Sequence, residues 1–368
     1  MSRVSEHRVN GVGKPSSVVV TTEATSRDLS AVEGLLDKLV SGSFPSGLSL
    51  AVVDCDGPLF SAHGGLACRV GMSRPITAFT SYDLASLTKV VCSVTLTLVF
   101  AQRRMLDLED PVRRWLPRFP RRDTTLLHLL THTSGLVDHR RFFERLHGRE
   151  SIEAAVLEEA TGSAPVGEVL YSDLNFMLLG WALEACGGAG LDYLFTREVA
   201  TPLEMLRTGF RPDPDEETAA TELDGDQRLT PGLVWGHVHD GNAYALDEVA
   251  GHAGLFAPLD DLVVFVRHLL NPDGRVLSSA AVEAMRERRA GHDPDIRGLG
   301  WRLVPTEWGL WPEQTLWHTG FTGTSLLVSA PRGLGVILLT NAIHPRRRIK
   351  EQAEMRAAVH RLVSEAFA

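Results

Sequence analysis

The chain has 368 residues, 44% of them hydrophobic and 23% charged, the balance of a soluble globular protein with one large or two medium domains. Its net charge of −9 argues against a nucleic-acid or anionic-membrane partner, since the basic clusters Arg121-Arg122 and Arg346-Arg347-Arg348 are short. No segment approaches the roughly 20 apolar residues that span a bilayer, and Met1 to Arg8 lack a secretory apolar stretch, which together predict a cytoplasmic protein.

Residues 1–25 are polar and patternless and predict a flexible arm. Ser26-Arg27-Asp28 then opens an amphipathic helix to about Val40, and strands follow at Leu48–Asp54 and Leu59–Ala67, joined by the hairpin signal Asp56-Gly57-Pro58. Next comes Ser86-Leu87-Thr88-Lys89, leading into the apolar run Val90 to Phe100, the pattern of a buried helix. Helical patterns recur at 125–132, 151–160, 173–186 and 190–200, while Arg211 to Gly232 reads as loop. A helix from Leu259 to Leu270 stops at Asn271-Pro272-Asp273-Gly274. Strand patterns return at Gly298–Val304, Thr324–Ser329 and Gly335–Thr340, and Arg346 to Phe367 reads as a closing helix. Strands at both ends with helices between predict an α/β (α+β) protein in which 26–85 and 295–368 build one sheet domain and 86–294 an inserted, mainly helical one. Cys55, Cys68, Cys92 and Cys186 show no C-x-x-C spacing and read as free thiols.

The basic residues are almost all arginine. Only Lys14, Lys38, Lys89 and Lys350 are lysines, and Lys89 alone follows a serine by three positions; the others follow Gly11, Leu35 and Arg347. A guanidinium stays protonated, whereas a buried ammonium can surrender its proton. Positions i and i+3 share a helix face, so Ser86 and Lys89 read as a nucleophile with its base one turn away. Two further elements could complete a site. Tyr171-Ser172-Asp173 offers a phenol and a carboxylate at the start of a helix, with Asp173 a candidate for both helix N-cap and catalytic support. Trp317-His318-Thr319-Gly320-Phe321-Thr322-Gly323 offers glycines where a backbone could approach a ligand.

In this order and spacing the three elements resemble the serine β-lactamase and penicillin-binding-protein superfamily, and most closely its class C β-lactamase, DD-peptidase and esterase branch. Leu106 to Val112, Leu129 to Leu136 and Gly254-Leu255-Phe256-Ala257 resemble that family too, so the likeness runs from about residue 30 to the C-terminus. The resemblance implies a β-lactamase/transpeptidase-like fold, an antiparallel sheet flanked by terminal helices with an inserted helical domain. It implies Ser86 as nucleophile, Lys89 as its proton acceptor, Tyr171 as general base or relay, and the N–H groups of Ser86 and Phe321 as an oxyanion hole. His318, Thr319 and Gly320 would face the substrate. Two departures stand out: Asp173 replaces the family's usual Asn, and His318 replaces the Lys of K-T-G, removing a permanent positive charge that would attract a substrate carboxylate. Both favour a neutral ester or amide over a penicillin or peptidoglycan stem.

A rival motif lies in Gly236-His237-Val238-His239-Asp240-Gly241-Asn242 and Gly251-His252, where imidazoles at i and i+2 beside a carboxylate could ligate zinc. The stretch also resembles a loop near the cleft of some serine hydrolases of the superfamily. This makes His239, Asp240, Asn242 and His252 substrate-contact candidates, or else members of a polar network that holds the loop. The expectation is therefore a cofactor-free, metal-free serine enzyme, an esterase, amidase or natural-product transacylase. It would use a small ester or amide donor, with water, an amine or an alcohol as acceptor. The alternatives are a β-lactamase or DD-peptidase, a metal-dependent hydrolase, and a non-catalytic acyl-binding sensor.

Overall fold

Side chains on successive strand residues point to opposite faces, and here that alternation divides the central strands between two cores. A computed structural model of the chain describes residues 18–22, 27–42, 44–71, 73–213, 217–304 and 306–368. In chain order its strands are β1 (Val19–Thr22), β2 (Gly47–Val53), β3 (Pro58–Cys68), β4 (Arg74–Pro75), β5 (Tyr82–Asp83), β6 (Gly209–Phe210), β7 (Leu255–Ala257), β8 (Ile296–Arg297), β9 (Arg302–Leu303), β10 (Leu316–Thr319), β11 (Ser325–Ser329) and β12 (Leu334–Thr340). The main sheet runs β1-β3-β2-β12-β11-β10-β9-β8 with β4 on β3, and every pairing is antiparallel.

Leu48, Leu50 and Val52 of β2 and Val336 and Leu338 of β12 face one core, shared with Val32, Leu36 and Val40 of the helix Ser30–Ser41 and Met355, Val359 and Val363 of the helix Ile349–Ala366. Ala51, Val53, Ile337 and Leu339 face the other, shared with the helix Leu259–Leu270 and with the helical insertion. Each fully buried Leu or Val adds about 1.5–3 kcal/mol, so a sheet covered on both faces anchors whatever is attached to its edges. Register joins the two ends of the chain: β2 pairs with β12, Ala51 opposite Ile337.

The architecture is the expected one, an antiparallel sheet with helices on its faces. Several details depart from the sequence reading. The arm expected over residues 1–25 contains an edge strand, β1, paired with β3; residues 1–17 and 23–26 lie outside the described residues. The strand expected across 298–304 is a short hairpin, Arg297 opposite Arg302, turned by Gly298-Leu299-Gly300. The helix Ser279–Arg286 had no clear sequence signal. Among the described residues no single helix is long and apolar enough to cross a membrane.

Candidate active site

A second, small sheet builds the nucleophile's position. β5 pairs with β7, Asp83 opposite Phe256, and Leu84 N–H donates to Leu255 O at 2.9 Å. The chain then turns sharply: Ala85 has φ +47, a left-handed conformation that costs a residue with a Cβ about 1–3 kcal/mol. That turn delivers Ser86 to the start of the central helix. Lys89 N–H donates to Ser86 O at 3.1 Å, and the helix runs as π turns over Lys89–Val94 before becoming α over Thr95–Gln102. Interrupted turns of this kind are frequent at functional sites. Here Thr95 Oγ1, donating to Val90 O at 3.0 Å, satisfies one carbonyl of the disturbed turns, while Ser93 Oγ donates to Gly251 O at 2.7 Å and ties the helix to the neighbouring loop.

Lys89 is fully buried, and its ammonium donates to Ser86 Oγ at 2.8 Å and to His252 O at 3.0 Å. Its third neighbour is Asp173 Oδ1, also at 2.8 Å. Burial alone would strip the proton from such a lysine, but Asp173, and after it Tyr171, outweigh burial and hold the pKa above that of an ordinary lysine. Burial would likewise protonate Asp173, and Lys89, followed by His139, holds its carboxyl well below the usual carboxylate range. The resting site therefore contains an ammonium–carboxylate pair. In this geometry Lys89 is a donor to Ser86 Oγ and His252 O and the ion-pair partner of Asp173. Asp173 is not the helix N-cap; Ser172 holds that position, and Asp173 is the first residue of the helix Asp173–Gly187. Tyr171 stands at the mouth with cations on two sides, its ring 5.1 Å from Lys89 Nζ and 5.5 Å from the Arg297 guanidinium carbon.

The third element is fastened to the first. Thr322 Oγ1 donates to Asp83 O at 2.7 Å and Thr324 Oγ1 to Leu84 O at 3.2 Å. A Cβ on Gly320 would lie 2.1 Å from Thr324 Oγ1 and 2.4 Å from Leu84 O, so this glycine serves the close approach of the turn to the nucleophile's own strand rather than of a ligand to the turn. The approach brings the Phe321 and Ser86 backbone beside one pocket, and neither N–H donates a hydrogen bond among the described residues. Two free amides at a nucleophile are the parts of an oxyanion hole.

Of the loop candidates, His239, Asp240 and His252 line the pocket of about 290 Å³ that holds Ser86, Tyr171 and Asp173. His239 lies between Glu222, 3.0 Å from its Nε2, and the stacked ring of Phe321. Asp240 pairs with His252 Nε2 at 2.9 Å and caps the helix Gly241–Ala245; burial opposes its ionisation, but His252 prevails and its pKa falls to about 2. Asn242 does not face the pocket: its amide donates to Arg140 O at 2.7 Å and accepts from Phe143 N–H at 3.2 Å, holding the neighbouring loop. His237 pairs with Glu248 at 2.7 Å while His239 pairs with Glu222, so the H-x-H imidazoles serve different carboxylates; among the described residues no three His, Cys, Asp or Glu side chains form a metal-binding group. Gly251 packs on the helix carrying Asp173, where a Cβ would fall 2.1 Å from Phe176 O.

On the other side of Tyr171, a second pocket of about 360 Å³ is lined by Ser86, His318, Thr319, Gly320 and three arginines, Arg297, Arg302 and Arg356. One carboxylate, Asp295, serves both Arg297 and Arg302, at 2.8 and 3.1 Å. Arg356 donates to Gly320 O, and among the described residues Arg297 Nη1 and Arg356 Nε have no partner. Burial, then Lys89 and Arg297, hold the His318 pKa well below that of a free imidazole; the neutral ring donates from Nδ1 to Thr319 O at 2.9 Å. The positive charge that His318 cannot carry is thus supplied by arginines from β8, β9 and the C-terminal helix. Sequence reading missed these residues, as it missed His139 beside Asp173, because no local pattern distinguishes them from other surface-type side chains.

The profile of the Beta-lactamase family matches residues 34–360. A protein of Salmonella heidelberg (strain SL476) named "Putative D-alanyl-D-alanine carboxypeptidase" is 28% identical, the alignment covering 87% of this chain and 84% of that one. Among solved structures, "EstCE1, a hydrolase with promiscuous acyltransferase activity" superposes with a TM-score of 0.72 at 23% identity, covering 90% of this chain and 98% of its own. Simvastatin synthase (LovD) from Aspergillus terreus superposes with a TM-score of 0.71 at 18% identity, covering 92% and 98%. With the family matched over most of its length, the chain belongs to the beta-lactamase family and is an enzyme of the serine hydrolase type.

Proposed function

We propose that the chain accepts an acyl group from an ester or amide onto Ser86 and passes it to water, an amine or an alcohol. The observation that carries this is the 2.8 Å contact between Lys89 Nζ and Ser86 Oγ beside two uncommitted backbone amides. In this reading Ser86 Oγ attacks the carbonyl carbon and its proton passes to Tyr171 acting as a phenolate beside the Lys89 ammonium. The Ser86 and Phe321 N–H groups bind the oxyanion, worth about 3–4 kcal/mol per donor in comparable sites. Collapse of the intermediate expels the leaving group, protonated by Tyr171, and leaves the Ser86 ester. Attack by the acceptor, its proton again moving through Tyr171, frees Ser86. The fold is shared with proteins titled hydrolase and synthase, so it does not by itself choose the acceptor.

Intact-protein mass spectrometry after brief exposure to p-nitrophenyl butyrate, with Ser86→Ala alongside, tests this. A transient butyryl mass on wild type, mapped to Ser86 and absent from the variant, is expected, with turnover indifferent to chelators. Turnover that survives Ser86→Ala and is lost on chelation would point to the histidine loop; an adduct that never clears would point to a sensor.

The arginine-lined pocket favours a second reading, in which the donor carries an anionic group beside the scissile bond. The name of the Salmonella relative, a carboxypeptidase, suggests a substrate of that charge.

A further inference from the structure

An amide replaced by a carboxylate at position 173 changes the charge around the nucleophile, and an imidazole stands against the change. Asp173 Oδ1 is 2.8 Å from Lys89 Nζ, and its Oδ2 is 3.3 Å from His139 Nδ1. The side chains of Lys89, Asp173 and His139 are 0%, 19% and 33% exposed, so the three run in a line from the interior to solvent. The loop carrying His139 is tied to the start of the same helix: Ser172 Oγ donates to Val137 O at 2.6 Å and Asp173 N–H to Asp138 O at 2.8 Å. His139 thus has a fixed seat in the wall of the pocket shared with Ser86 and Tyr171.

Counting charge gives this seat a purpose. A Lys89–Asp173 pair alone is neutral and offers Tyr171 and Ser86 only the field of a dipole. An imidazolium on the second carboxylate oxygen makes the group of three net positive, as a lysine beside an uncharged amide would be. A net positive charge favours the Tyr171 phenolate and the developing charge on Ser86 Oγ.

We propose that protonated His139 is a positioning residue for acyl transfer, which orients Asp173 through Oδ2 and restores the net positive charge that Lys89 presents to Tyr171 and Ser86. This rests on the Ser86 acyl-enzyme reading. Facing the imidazole are Asp138 on its own loop, Asp173 on the helix, Asp240 and His252 from the opposite loop, and Arg347 across the pocket. Neighbouring Arg140 is turned away to Glu159 at 2.8 Å. The hydrogen bond that His139 donates to Asp173 outweighs burial and raises the His139 pKa. Activity then declines as pH rises through the titration of His139.

The test is the pH profile of kcat and kcat/KM for p-nitrophenyl butyrate hydrolysis from pH 5.5 to 9. It compares the full-length wild type, His139→Gln, Asp173→Asn and the double variant, with thermal melts alongside. Expected is a fall of about tenfold or more in kcat for His139→Gln at pH 6.5, with the alkaline decline gone. Asp173→Asn should be active, lack the decline, and change less than about threefold on adding His139→Gln, the signature of coupled residues. An equal loss from His139→Gln in both backgrounds, an unchanged profile shape, or an inactive Asp173→Asn that melts like wild type overturns the proposal. The Asp173→Asn profile decides the matter even if His139→Gln fails to fold. A Ser86 butyryl adduct on wild type, measured in parallel, separates the two readings: its presence with an indifferent His139 defeats this inference alone, and its absence defeats the Ser86 reading as well.

Discussion

Thr322 Oγ1 donates to the Asp83 carbonyl at 2.7 Å, a bond between residues 239 positions apart that fastens the turn carrying Phe321 to the strand leading to Ser86. β10 and β11 belong to the main sheet and β5 to the small one, so this contact and its neighbour Thr324–Leu84 are what join the sheet edge to the nucleophile. Thr322→Val keeps the shape and removes the donor. It should lower kcat about 10- to 100-fold through a displaced Phe321 N–H, while the lost bond costs only about 1–2 kcal/mol of stability. Ester turnover and thermal unfolding on the same preparation would check this; a loss of stability matching the loss of rate would mean the bond is structural alone.

Gly320→Ala should be the harsher change. The new methyl would sit within 2.4 Å of Leu84 O, a backbone atom that cannot swing away. We expect about 1–3 kcal/mol of overpacking strain in urea titrations and a kcat loss exceeding that of Thr322→Val.

The buried pair makes a signed prediction about pH. Asp173 is depressed and Lys89 raised, so their mutual stabilisation is lost only as pH falls below the carboxylate range or climbs past the lysine range. Their contribution to wild-type stability should be flat from about pH 5 to 9. Asp173→Ala leaves the ammonium buried without its partner, at a cost of about 3–5 kcal/mol. With burial then opposed only by Tyr171, the lysine pKa should drop below its unfolded value, so this variant should gain stability as pH rises from 7 to 10. Urea midpoints across that range would show the slope; a flat line would mean solvent reaches Lys89.

Arg297→Met and Arg302→Met address donor charge. If the donor is anionic, wild type should prefer a hemisuccinate over a butyrate ester of the same alcohol, and each variant should reduce that preference about tenfold, the scale of one lost charge-assisted contact. Equal kcat/KM values for the two esters in wild type would return the reading to a neutral donor.

Much of the site was legible because its chemistry sits in short segments. Ser86-Leu87-Thr88-Lys89 announced itself through the scarcity of lysine, and the structure brings it together with Tyr171-Ser172-Asp173 and His318-Thr319-Gly320 as their order suggested. Glycine-bounded stretches such as Gly254-Leu255-Phe256-Ala257 find their reason in β7, which pairs with the strand leading to Ser86. Other features were beyond reach. Asp173 and His139 are 34 positions apart with no pattern linking them, and the arginines beside His318, Arg297, Arg302 and Arg356, come from three separate elements.

Sequence by itself determined the kind of enzyme and the alternation that builds a two-faced sheet, since nucleophile spacing and strand periodicity are local properties of the chain. Tertiary structure alone decided the charge on Lys89, the partner of Asp173 and the arginine wall beside Tyr171. The reason is physical: a buried group's protonation depends on which opposite charge reaches it within a few ångströms, and that is a property of packing between segments far apart in the chain.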